Sequence, residues 1–178
     1  MEELINEAKN GDEEAFTKII IVLEKDLYRI ARMRFSSEDD ICEVVQQTII
    51  ASFYNIKKLK NVEYFKTWII KILLNKCNKF YTSKIKNGFL VEYNDDNLKN
   101  ISKKNEFDKI NSELDFDALI KDFNYKERIT LILYYVENLT TKEIGKILKE
   151  SDSTVKNRLA RSKIKLKNKL EERGECYG

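Results

Sequence analysis

Thr140-Thr141-Lys142-Glu143-Ile144-Gly145-Lys146-Ile147-Leu148-Lys149-Glu150-Ser151-Asp152-Ser153-Thr154-Val155-Lys156-Asn157-Arg158-Leu159 reads as two helices with a short break between them. Thr140 and Glu143 stand at capping-box spacing, each side chain able to satisfy the other residue's backbone N–H. Ile144, Ile147 and Leu148 supply one apolar side of the short helix that follows. The polar run Glu150-Ser151-Asp152 breaks the pattern. A longer helix then starts near Ser153 and carries Val155, Leu159, Ile164, Leu166 and Leu170 as its apolar positions. A short helix, a tight turn and a longer helix with polar residues at its start form a helix-turn-helix, whose second helix places its first residues in a DNA major groove. Those residues are of hydrogen-bonding type: Asp152, Ser153, Thr154, Lys156, Asn157 and Arg158. Residues 156–169 hold seven Lys/Arg and no acid, among them Arg161, Lys163 and Lys165, enough to line phosphates beside a groove. The plainer alternative is a solvated basic helix in a bundle; the coincidence of cap, turn and charge favours the first reading.

Upstream, Asp12 is placed to cap a helix carrying Ala15, Phe16, Ile19, Ile20, Leu23, Leu27, Ile30, Ala31 and Phe35. The polar stretch Ser36–Asp40 reads as a loop. A second amphipathic helix with Ile41, Val44, Val45, Thr48, Ile49 and Ser52 runs to about Asn55. The basic loop 57–61 leads into a third, from about Glu63 to Tyr81, with Phe65, Trp68, Ile69, Ile72 and Leu73 on one face. From about Ser83 to Asn111 the periodicity fades into Asn, Lys, Asp and Ser, which reads as a flexible linker, with Phe89, Leu90, Val91 and Tyr93 able to dock. Helical pattern returns with Phe116, Leu119, Ile120 and Phe123, and Asn124 can cap the next helix, which carries Ile129, Ile132, Leu133 and Val136.

Proline is absent and glycine occurs five times in 178 residues, a composition that disfavours strands joined by tight turns. The expected fold class is all-α, with two small helical domains at 1–86 and 113–178 and a linker at 87–112. Net charge is only +3, but it is segregated. Residues 1–50 have a net charge of −6 and residues 57–86 of +8; residues 87–120 have −4 and residues 121–178 have +5. Cys42, Cys77 and Cys176 are scattered without metal-ligand spacing, which suits a reducing compartment. No apolar run approaches membrane-span length and the sequence opens Met-Glu-Glu without a signal peptide, so a cytoplasmic location is expected. There is no histidine, no nucleophile beside a base, no phosphate-cradling glycine loop and no zinc spacing. The chain is therefore not expected to be an enzyme or to need a cofactor or metal. Asp39, Asp40 and Glu43 could hold a hydrated Mg²⁺, but three such acids are commonly just solvated.

Glu143-Ile144-Gly145 and Thr154-Val155-Lys156-Asn157-Arg158-Leu159 resemble the Glu-Ile-Ala and Thr-Val-Lys-Ser-Arg-Leu stretches of bacterial sigma factors of the extracytoplasmic-function (ECF) type. Trp68-Ile69-Ile70-Lys71-Ile72-Leu73-Leu74-Asn75 is similar to that family's Trp-Leu-x-x-Ile-Ala-x-Asn, and Cys42-Glu43-Val44-Val45-Gln46-Gln47 to its Glu-Asp-Leu-Val-Gln-Glu. Order and separation match as well, so the resemblance covers nearly all of the chain except the linker. It implies an alternative sigma factor that binds core RNA polymerase and directs transcription initiation from promoters with −10 and −35 elements. Asp39, Asp40, Glu43, Gln46 and Gln47 would meet the clamp helices of the β′ subunit, with the β subunit as a further contact. Lys57, Lys58, Lys60, Asn61, Tyr64, Asn75, Lys76 and Lys79 would hold the melted −10 strand, and the last helix, Asp152 to Lys165, the −35 duplex. An anti-sigma factor is a further conceivable partner. Trp68 could stack on a base, although its place in the apolar stripe suits the core better.

Two positions depart from the family at the turn. Lys149 stands where it has Gly, so a left-handed lysine is expected, and Glu150 replaces an apolar residue, which is expected to loosen the helix packing. A runner-up reading is a helix-turn-helix regulator that binds duplex DNA without polymerase, although it has no need of a single-strand groove. A third is a decoy that occupies polymerase or an inhibitor without touching DNA.

Overall fold

The computed structural model describes residues 1–88 and 112–172, and every regular element among them is helical. The chain divides into two compact units, Met1–Glu92 and Tyr93–Gly178. The proposed linker, 87–112, and the docking residues Phe89, Leu90, Val91 and Tyr93 lie almost wholly outside the described residues.

In the first unit α1 is Glu2–Asn10, α2 Glu13–Arg32, α3 Glu38–Asn55 and α4 Phe65–Lys86. The sequence reading had no counterpart to α1, whose Ile5 and Ala8 are buried. It ends at Gly11, whose φ of 107° suits glycine, and Asp12 then caps α2 by accepting from the Ala15 N–H at 2.9 Å. The expected apolar stripe of α2 is in the core: Ile19, Leu27, Ile30 and Ala31 have almost no exposure, and α2 packs on α3 and α4, where Ile41, Val44 and Val45 and Ile69, Ile70, Leu73 and Leu74 are buried. Thr48 and Ser52 are buried as well, their hydroxyls donating to the carbonyls of Val44 and Thr48, so neither leaves a polar atom stranded.

Two boundaries differ from expectation. Glu38, Asp39 and Asp40 form the first turn of α3 rather than a loop, as acids near the positive end of a helix dipole are favoured there. Helix α4 runs on to Lys86, because Phe80 packs edge-on to Phe35, Arg34 stacks on Tyr81 at 3.8 Å and Lys84 reaches Asp40 at 2.6 Å. Cys77 is buried in this core, which pushes its thiol up to about 12; Cys42 is half-buried and accepts from the Tyr28 hydroxyl.

The second unit contains α5 (Ser112–Ile120), α6 (Tyr125–Leu131), α7 (Thr141–Leu148) and α8 (Asp152–Glu172). Asn124 and Glu127 form a full capping box at the start of α6, and Thr140 and Glu143 form another at α7. Helix α6 continues as a π-helical turn, Ile132–Val136, closed by the Glu137 N–H donating to the Ile132 carbonyl. The core joins Leu119, Ile120, Phe123, Ile129, Leu131, Ile132, Leu133, Ile144, Ile147, Val155 and Leu159. With α7 and α8 packed on each other across a short turn, this unit is a helix-turn-helix.

Candidate functional site

Burial sorts the side chains of α8 into two faces. Val155, Leu159 and Ser162 are buried against α6 and α7, with Arg158 beside them. Opposite lie Ser153, Asn157, Ala160 and Ile164, all exposed, flanked by Lys156, Arg161, Lys167 and Asn168. Thus Ser153, Thr154, Lys156, Asn157, Arg161 and Lys163 of the expected set point to solvent from the first three turns, as a groove-reading helix requires. Ile164, read as part of the apolar stripe, is instead 63 % exposed on this outward face, because the steps from Leu159 to Ile164 carry it round the helix.

Arg158 is the main correction. It faces inward with 12 % side-chain exposure, its Nη2 donating to Glu150 Oε1 at 2.8 Å and its Nη1 lying 2.7 Å from Glu150 Oε2. Nη1 also donates to the Thr130 hydroxyl of α6 at 3.2 Å. The side chain is thus engaged within the unit and is not presented to a base edge. Glu150, expected to loosen the turn, instead anchors it. Asp152 is likewise drawn inward: it accepts from the Thr141 hydroxyl and pairs with Lys156 at 2.7 Å. The Lys156 ammonium first, and the Thr141 hydroxyl second, hold its carboxyl below the usual carboxylate range. Lys165 pairs with Glu127 at 2.7 Å, and Lys163 lies 5.3 Å from the centre of the Tyr134 ring. Lys149 does take the left-handed conformation, φ 59° and ψ 42°. The turn then runs so close to α7 that a Cβ on Gly145 would stand 2.8 Å from the Glu150 carbonyl oxygen. Glycine is therefore required at 145.

In the first unit the basic loop is held open by its apolar neighbours. Ile56 and Leu59 are buried, and α1 packs on the turns Ile56–Lys58 and Val62–Tyr64. Lys57, Lys58, Lys60, Asn61 and Tyr64 are left exposed, with Lys58 donating to Asn55 at 2.8 Å. On α4, Asn75 and Lys76 are half-buried and Lys79 exposed; Lys71 and Asn78, which the sequence reading did not single out, are exposed on the side of Asn75 and Lys79. Trp68 is not a core residue. It is half-exposed at the edge of this face, tilted against Phe65 with ring centres 5.6 Å apart.

The acidic surface lies on α3. Asp39, Glu43 and Gln46 are exposed, and Gln47 is half-buried and donates to Glu43. Asp40 is turned toward α4 by its ion pair with Lys84. Four residues beyond Gln46, on the same face, stand Ile50 and then Tyr54, 57 % and 76 % exposed. The sequence reading missed both, although the spacing of Glu43 and Gln46 continues through them.

Residues 115–166 match the family model described as Sigma-70, region 4. The RNA polymerase sigma factor SigV of Bacillus subtilis is 27 % identical over 139 residues, which cover 78 % of this chain and 81 % of SigV. The ECF RNA polymerase sigma factor SigW of the same organism is 23 % identical over 176 residues, 93 % of this chain and 94 % of SigW. Among solved structures, the sigma factor RpoE of Bartonella quintana, in complex with the anti-sigma factor NepR, has the same fold, with a TM-score of 0.66 at 17 % identity. That likeness covers 88 % of this chain and 96 % of RpoE. No helix among the described residues is long and apolar enough to cross a membrane. Residues 115–166 thus match a sigma-70 region 4, and over most of its length the chain is similar to RNA polymerase sigma factors of the ECF type.

Proposed function

We propose that this chain is a sigma factor of the ECF type, which directs promoter-specific initiation by dividing the work between its units. The exposed α3 face, Asp39, Glu43, Gln46, Ile50 and Tyr54, docks on core RNA polymerase. Carboxylates and amides suit a basic partner, and the two apolar residues supply a dry centre. Lys57, Lys58, Lys60, Asn61 and Tyr64, with Asn75, Lys76 and Lys79, hold the melted −10 strand. Cations track its backbone while Tyr64, and Trp68 beside the α4 face, offer surfaces to unstacked bases. The outward face of α8 enters the major groove of the −35 duplex. There Ser153, Thr154, Asn157 and Arg161 meet base edges and Lys156, Lys163 and Lys167 meet phosphates. The mechanism is capture rather than chemistry: the factor holds both elements while polymerase joins nucleotides. An anti-sigma partner, of the kind that holds the Bartonella quintana factor, is proposed on that likeness alone.

The observation that carries this reading is the sorting of α8, where inward residues pair within the unit and polar and cationic residues are left outward from the first turn. Affinity capture by core polymerase tests it. The chain is expected to co-purify with core enzyme and to bind promoter duplex with high preference only in that complex. Sequence-specific binding of a duplex by the chain alone, with no affinity for core enzyme, would instead support the polymerase-independent regulator.

A further inference from the structure

We propose that Glu150 and Arg158 together form the device that sets the angle of the recognition helix, so that Arg158 governs DNA reading without touching DNA. The inference rests on α8 being the −35 reader. The Arg158 guanidinium joins three pieces of the unit: its own helix, the turn through Glu150 at 2.8 Å, and α6 through the Thr130 hydroxyl at 3.2 Å. Thr130 is itself fully buried and fixed by donating to the Lys126 carbonyl at 2.7 Å, so the third point is rigid. Planar guanidinium and carboxylate groups restrict direction as well as distance, which a flexible lysine would not do.

Other links at the turn leave this pair the deciding one. Lys149 is left-handed and the Glu150 N–H donates to the Gly145 carbonyl at 2.9 Å, so the chain enters α8 in contact with α7. Asp152, accepting from Thr141, pins the helix start. Arg158 lies about one and two-thirds turns further along and fixes the direction in which α8 leaves that pinned point. Asn157 and Arg161 stand beside it on the helix, facing outward, so a tilt of α8 would displace every reading residue together.

The pair therefore acts on all −35 sequences alike, whereas a base reader acts at one position. The test uses the full chain with core polymerase on promoters randomised across the −35 element, at a temperature well below the unfolding midpoint of every variant. Arg158→Ala is expected to lower occupancy roughly tenfold on all sequences, with the order of preferred bases unchanged. Should Arg158→Ala not fold, Glu150→Gln, which keeps an acceptor but removes the charge, is expected to give a smaller uniform loss. The charge-reversed double variant Glu150→Arg with Arg158→Glu is expected to recover most of the occupancy.

Asn157→Ala and Arg161→Ala serve as controls on the underlying reading. If they leave base preference untouched, α8 is not the reader and the proposal falls with that reading. If they shift it while Arg158→Ala, folded, costs nothing, the pair is structural only and the positioning role alone is overturned. A loss confined to one base in Arg158→Ala, or no recovery in the folded double variant, also overturns it.

Discussion

Asn157 and Arg161 occupy successive turns of the exposed face of α8, with Ala160 between them. An asparagine amide can make two hydrogen bonds to adenine and a guanidinium two to guanine, so each replacement by alanine should cost about 1–3 kcal/mol at a single position of the −35 element. The check is base preference in a randomised promoter set, where a loss spread evenly over positions would speak against direct reading by either residue. Lys149 gives a second residue-level expectation. A left-handed non-glycine residue costs about 1–2 kcal/mol, so Lys149→Gly should raise the unfolding midpoint of the chain by a few degrees despite the freer unfolded chain, and thermal denaturation followed by circular dichroism measures it. At this scale the sequence disclosed types but not directions. That Lys149 is left-handed followed from the resemblance, which puts glycine at this turn position, and the caps Asp12, Asn124 and Thr140 followed from local spacing. That Arg158 turns inward did not, because its partners Glu150 and Thr130 are 8 and 28 residues away and Thr130 gives no sign of its burial from its neighbours.

Helix α3 carries its two roles on different sides. Val44, Val45 and Thr48 pack into the core while Asp39, Glu43, Gln46, Ile50 and Tyr54 face outward. Reversing Asp39 and Glu43 to lysine should therefore weaken capture of core polymerase by at least tenfold and leave the helical circular dichroism signal unchanged. Equal affinity in the folded variant would remove this surface from the account. Asp40 is a poor choice for the same experiment. Its pair with Lys84 joins the start of α3 to the end of α4, so its reversal would mix a folding defect into the result. Element boundaries show the same division of what was readable. Hydrophobic period located α2, α3, α6, α7 and α8, because each buries a stripe against neighbours close in sequence. It stopped α4 too early and left Glu38–Asp40 in a loop, since those turns are fixed by long-range contacts, Phe35 with Phe80 and Asp40 with Lys84. Helix α1 was passed over because Ile5 and Ala8 alone are too few apolar positions to show a period in nine residues.

For the molecule as a whole, segregated charge carried more information than net charge. A value of +3 is silent about partners, whereas an acidic α3 face in the same unit as a basic 57–86 block, and a basic α8 in the other unit, are what the proposal of separate polymerase and DNA surfaces rests on. The division into two units and the helix-turn-helix were legible from composition, caps and turn. Which cations pair within the protein was not, because Lys84, Lys156, Lys165 and Lys169 each meet an acid of the same unit at 2.6 to 2.7 Å. The central claim, that this chain confers promoter choice on polymerase, is tested most directly by run-off transcription with purified bacterial core enzyme on a template set randomised through the −35 and −10 regions, with the chain added or omitted. Specific transcripts that require the chain, and that share two sequence elements at fixed spacing, are the result expected, with the upstream element altered by Arg161→Ala. Transcripts unchanged by adding the chain, although it is folded and bound to core enzyme, would contradict the account.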